Sequence, residues 1–89
     1  MELGKIYATK GVADCAKQSP LFSMELAAIF SRYCGGDWGE LCQEDREQND
    51  QAVIYGERVL ASYETSAGKV WIITEWDRSA TTFLFPSEY

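Results

Sequence analysis

The chain has 89 residues and a mass of 10.0 kDa, enough for one small domain with a single core and too little for separate catalytic and regulatory domains. Hydrophobic residues make up 46% and charged residues 25%, which excludes a disordered chain, a collagen-like repeat or a disulfide scaffold. Fourteen acids against eight bases leave a net charge of −6, which argues against direct nucleic-acid binding, and the absence of histidine removes the usual general base and the commonest metal ligand.

In chain order, Leu3 to Thr9 carries the β-favouring Ile6, Tyr7 and Thr9 and predicts a first strand. Gly11 to Gln18 predicts a short helix, with Val12, Cys15 and Ala16 at one-turn spacing. Ser19-Pro20 then supplies an N-cap and a proline at the first helical position, so a second helix starts there. Its buried stripe is Phe22, Leu26, Ile29, Phe30 and Tyr33, and Gly35-Gly36 ends it. Asp37-Trp38-Gly39-Glu40 has the spacing of a capping box and predicts a turn of helix. Glu44 to Tyr55 reads as a third, mostly polar surface helix, with Leu41, Ala52 and Val53 as its apolar contacts and Gly56 as its stop.

Beyond Gly56 the periodicity becomes alternating, with Val59, Ala61 and Tyr63 on one side and Arg58, Leu60, Ser62 and Glu64 on the other. Turns at Ser66-Ala67-Gly68 and Asp77-Arg78-Ser79 separate this strand from Val70 to Trp76 and from Ala80 to Phe85, which Pro86 stops. The fold class is therefore α+β: a three-stranded antiparallel meander, with the amino-terminal strand as a candidate fourth, packed on two or three helices in one domain. Val70, Ile72 and Trp76 on one face of the middle strand and Trp71 and Ile73 on the other make both faces too apolar for water. Helices cover one; the amino-terminal segment or a second copy of the chain, a homodimer, is the candidate cover for the other.

The three cysteines, Cys15, Cys34 and Cys42, match no disulfide or zinc spacing, and Cys15 and Cys34 read as small core residues of a reduced, cytoplasmic protein. There is no secretory leader pattern at Met1 to Ile6 and no apolar run of membrane-spanning length. No cofactor motif is present: calcium-loop and glycine-rich phosphate patterns are missing.

Charge is distributed unevenly. From Asp37 to Asp50 six acids face the single Arg46, a net of −5, which suits a basic protein partner drawn in by its field. A solvated helix face with acids near its positive end accounts for the same residues. Glu64, Lys69, Glu75 and Asp77 lie on or beside neighbouring strands, and carboxylates beside a lysine are what a magnesium-dependent nuclease needs. The hydroxyls of Ser62, Ser79, Thr81 and Thr82 have only Lys69 or a carboxylate to activate them. Trp38, Trp71, Trp76, Tyr63 and Phe83 suit core or interface packing better than stacking on nucleic acid.

From Gly36 onward the sequence resembles a widespread group of small bacterial proteins of plasmids and integrative elements, the plasmid-related proteins. The matching blocks are Gly36-Asp37-Trp38-Gly39 with Glu44-Asp45, Asn49, Gly56, Arg58 and Leu60, then Trp71-Ile72-Ile73-Thr74-Glu75 with Asp77-Arg78-Ser79 and Thr81-Thr82, then Pro86-Ser87-Glu88-Tyr89. Trp76 departs from the pattern, where a small residue is expected. The resemblance implies a mobile-element setting in a bacterial cytoplasm and no established activity. Within these blocks Asp37 is expected to cap, Trp38 to anchor the turn, Asn49 to bond to a loop, and Arg78 to pair with Glu75 or with an acid of the 37 to 50 segment. The candidate binding site is Asp37, Trp38, Glu44, Asp45, Glu47, Asn49, Asp77 and Arg78, because turns carrying Asp, Trp and Arg supply the anchors that interfaces use. The expected function is a non-enzymatic accessory protein that binds a protein partner through the acidic segment, an inhibitor of host defence among the readings. The alternative is a small metal-dependent enzyme using Glu64, Glu75 and Asp77.

Overall fold

A computed structural model describes all residues, Met1 to Tyr89. Four strands, β1 (Lys5–Ala8), β2 (Val59–Thr65), β3 (Gly68–Thr74) and β4 (Ala80–Leu84), form one sheet in the order β1-β4-β3-β2. β2, β3 and β4 are the expected antiparallel meander, and β1 joins the outer edge of β4 in parallel, with Ile6 opposite Thr81 and Ala8 opposite Phe83. Three helices, α1 (Lys10–Gln18), α2 (Pro20–Cys34) and α3 (Gln43–Tyr55), complete the α+β fold, and a short 3-10 turn, Pro86–Glu88, follows β4.

Local chemistry sets the helix limits. The Ser19 hydroxyl accepts from the Phe22 amide at 3.1 Å and Pro20 takes the first helical position, which starts α2. Gly36 and Gly56 stand at φ of +82° and +72°, the left-handed conformation that ends helices at little cost only for glycine. α1 has an acid from far along the chain at its start: Glu88 accepts from the Thr9 hydroxyl at 2.6 Å and the Gly11 amide at 3.0 Å. These donors and the Phe85 amide hold the Glu88 carboxyl below its ordinary value, the Thr9 hydroxyl contributing most.

The core lies between the helices and one face of the sheet. Val59, Ala61, Tyr63, Val70 and Ile72 supply the sheet side, and Val12, Phe22, Ile29 and Tyr33 the helix side. Phe30 packs on Phe83 with ring centres 5.7 Å apart, and Phe22 on Phe85 at 5.9 Å. Inside this layer the Tyr33 hydroxyl meets Thr74 Oγ1 at 2.5 Å, Thr74 meets Thr81 Oγ1 at 2.8 Å, and Thr81 donates to the Leu3 carbonyl at 2.7 Å. These three buried hydroxyls are thus satisfied in series, and burial pushes the Tyr33 phenol up to about 12.

Several expectations need correction. β3 stops at Thr74, so Trp76 lies in the following turn and is 67% exposed instead of facing the core with Val70 and Ile72. Cys15 packs against the core, but Cys34 at the end of α2 is exposed. The amino-terminal segment extends the sheet rather than covering its second face. That face is closed in part by the carboxyl end, where Tyr89 packs edge-on against Trp71 at 5.7 Å and Arg58 bonds the Tyr89 hydroxyl at 2.6 Å.

Candidate functional site

The segment between α2 and α3 is not a turn of helix. Asp37 Oδ1 accepts from the Gly39 amide at 3.1 Å, two residues on, and Arg32 grips both carboxylate oxygens at 2.7 and 3.3 Å. Arg32 is the main cause that holds the Asp37 carboxyl below its usual range. The Asp37 carbonyl accepts from the Tyr63 hydroxyl at 2.7 Å, and burial, first among the causes, pushes that phenol upward. Chain 38 to 40 then runs along β2: Ser62 N donates to the Trp38 carbonyl at 3.3 Å, and Glu40 N donates to the Ser62 carbonyl at 2.6 Å. A capping box would have needed the amide of residue 40 for Asp37, but the edge of β2 takes it instead. α3 begins at Gln43, one residue before the expected Glu44, with no side-chain cap.

Trp38 anchors this corner as expected. It is buried edge-on against Tyr33 at 5.4 Å, and its indole N–H donates to Asp50 at 2.8 Å. Asn49, from the middle of α3, donates to the Leu60 carbonyl at 2.8 Å and accepts from the Leu60 amide at 3.4 Å, so one side-chain amide stands in for a neighbouring strand. Its partner is therefore β2 and not a loop.

Arg78 lies at the far end of α3, in the β3–β4 turn, with φ of +60°. The expected pairing with a carboxylate does not occur. Its guanidinium donates to backbone carbonyls: Glu57 at 2.6 Å, Ala52 at 2.8 Å and Glu75 at 3.2 Å. It thereby adds a bond to the Ala52 carbonyl, which already accepts from the Gly56 and Glu57 amides where α3 ends. The Glu75 carboxylate pairs instead with Arg58 at 3.6 Å. Asp77 accepts from the Ser79 amide at 3.1 Å, a turn-forming bond within its own loop, and Ser79 holds its carboxyl below the usual range.

The eight candidate residues thus separate into three places. Asp37, Trp38 and Asn49 build the corner beside β2, and Asp77 and Arg78 build the turn beyond α3. Glu44, Asp45 and Glu47 stand on the exposed first half of α3, and none of them pairs with a cation of the chain. Glu64 pairs with Lys69 at 3.8 Å, and no group of three or more acids or cysteines converges as a metal-binding set.

Next to the acidic face a cleft of about 290 Å³ opens between α3 and β2. Leu41, Ala52 and Leu60 are the apolar part of its lining, beside Gln48, Asn49, the acids Asp45 and Glu57, and Arg58, whose guanidinium is engaged by Glu75 and the Tyr89 hydroxyl. Sequence reading missed the cleft because Leu41 and Glu57 lie in the connections before and after α3 and Leu60 lies in β2; its one signal was the apolar Leu60 among Arg58, Ser62 and Glu64. Chemically, apolar side chains beside two acids that have no cation partner accept the stem and head of a lysine or arginine side chain. No helix is long and apolar enough to cross a membrane. Comparison with models of protein families, with curated proteins and with solved structures finds no match to this chain.

Proposed function

We propose that this protein is a non-enzymatic interaction module that binds a basic protein partner through the first half of α3. One observation carries the reading. Most of the polar residues singled out in the sequence are used up in holding the fold, whereas Glu44, Asp45 and Glu47 remain exposed with no cation partner, Asp45 in the wall of the cleft that Leu41, Ala52 and Leu60 also line. Three carboxylates on one helix raise the rate of encounter with a basic surface, and a desolvated lysine or arginine stem in the cleft would add apolar contact. The resemblance of residues 36 to 89 to plasmid-related proteins supports an accessory role on a bacterial mobile element, with a host-defence protein as the kind of target such an element would restrain.

The test is capture from bacterial host lysate by the tagged chain and by a variant carrying Glu44→Lys, Asp45→Lys and Glu47→Lys. The reading expects a basic protein held by the parent chain, released at raised ionic strength, and lost in the variant while its circular dichroism is unchanged. Equal capture by both chains removes α3 from the interface.

A further inference from the structure

We propose that the open edge of β1 receives a second copy of this chain, the two β1 strands pairing antiparallel about Ile6 in a two-fold dimer. The inference goes beyond the α3 reading and uses the opposite side of the molecule. Lys5 N and Thr9 N both donate inward, to the Ser79 and Phe83 carbonyls at 3.1 and 3.0 Å. Backbone groups alternate along a strand, so the N–H and C=O of Ile6 aim outward, with no strand beyond them. All four residues of β1 are exposed, and Ile6 and Tyr7 each keep half of their surface in water. Apart from Lys5 at its first position the strand has no charge, and it has no proline or bulge of the kind that normally protects a sheet edge.

The surface beside this edge is also apolar. Ile6, Leu26, Ala27, Phe30 and Phe83 line a groove of about 260 Å³ between β1 and α2, with no polar residue in its wall. The outer side of α2 continues the same character through Leu21, Met24 and Ala28, all exposed and uncharged.

Charge selects the occupant. Lys5 is the one charged residue of β1 and the wall of the groove holds no acid, so two copies can approach along this edge without acid-to-acid repulsion between the paired strands. A basic partner would be drawn to α3 instead. The two-fold arrangement is also self-complementary. With Ile6 opposite its equivalent, the two residues exchange both backbone bonds, and each side chain meets the mouth of the other's groove. The same register sets Lys5 opposite the partner's Tyr7 on the other face, twice, an ammonium beside an aromatic ring. The two sheets become one continuous eight-stranded sheet.

Sedimentation equilibrium of the full chain over a wide concentration range tests the proposal, together with amide exchange at Ile6. The expected results are a mass twice 10.0 kDa at high concentration, an Ile6 amide whose exchange slows by at least about tenfold from the lowest to the highest concentration, and a single-chain mass for Ile6→Glu. The exchange measurement uses the parent chain, so it decides even if Ile6→Glu fails to fold. A single-chain mass at every concentration overturns the proposal, as does a dimer in which the Ile6 amide exchanges at an unprotected rate.

Discussion

The two edges of the sheet are handled in opposite ways. At β2 the outward backbone groups of Leu60 and Ser62 are all taken, two by the Asn49 side chain and two by the chain at Trp38 and Glu40. At β1 the outward groups of Ile6 have no partner within the chain, and the strand is held from its inner side alone. Both edges belong to one small domain with one core, so the difference comes from what the flanking sequence supplies. A polar residue facing inward from α3 and a glycine corner close one edge; a four-residue strand leading directly into α1 leaves the other open. An edge closed by the protein's own side chains is unavailable to other chains, and an open edge invites them.

The largest effect is expected where the closed edge has no tolerance. Gly39 stands at φ of +77°, and a Cβ there would lie 2.0 Å from the Ser62 carbonyl oxygen. Gly39→Ala must therefore lift the corner off β2, losing two backbone bonds and adding strain, about 4 kcal/mol in urea unfolding. A stability within about 1 kcal/mol of the parent would show that the corner is not what closes this edge. Asn49→Ala comes next: it leaves the Leu60 N–H and C=O unpaired beneath α3, a loss of about 2 to 3 kcal/mol by the same measurement. It should also make β2 newly prone to self-association, which light scattering would detect.

The smallest effect concerns the joint between the carboxyl end and the start of α1. The folded Glu88 carboxyl is held below its ordinary 4.5, so its stabilisation is complete above that pH and is lost as pH falls through the lower folded value. Solvent screens this exposed group, and the contribution stays under about 1 kcal/mol. Glu88→Gln should flatten the acid limb of the stability curve and leave the β2 corner untouched. An unchanged acid limb would mean that the start of α1 does not depend on this contact.

Much of the fold was legible from periodicity and punctuation. Ser19-Pro20, Gly56 and the alternation from Val59 to Tyr63 each answer to a local backbone or burial preference, and α2, the end of α3 and the meander follow them. The corner at Asp37 was misread because its decisive partner, the Ser62 carbonyl, lies over twenty residues away, and local capping cannot anticipate a competing strand edge. Arg78 was misread for a related reason. A charged residue suggests a charged partner, yet three carbonyls gathered at the end of α3 satisfy its guanidinium from several sides. Trp76 followed the alternation of β3 one step past the strand's end, where Glu75 N already turns back to the Ala80 carbonyl at 3.0 Å. Of the candidate site, the acidity of α3 was visible in composition, whereas the cleft beside it arises only when α3 and β2 meet.

The buried hydroxyls of the core have a further property, a direction. Thr81 spends its only proton on the Leu3 carbonyl, so it must accept from Thr74, and Thr74, its proton committed in turn, must accept from Tyr33. The series therefore has a fixed polarity, running from the end of α2 to Leu3, two residues ahead of β1. A carbonyl at one terminus dictates the orientation of every hydroxyl before it. Removing the first donor, as in Tyr33→Phe, leaves each remaining proton with its acceptor, whereas removing the last, as in Thr81→Val, strands the Leu3 carbonyl and the Thr74 proton together. The attachment of the amino terminus in this sense sets the direction of a tyrosine hydroxyl on the opposite layer.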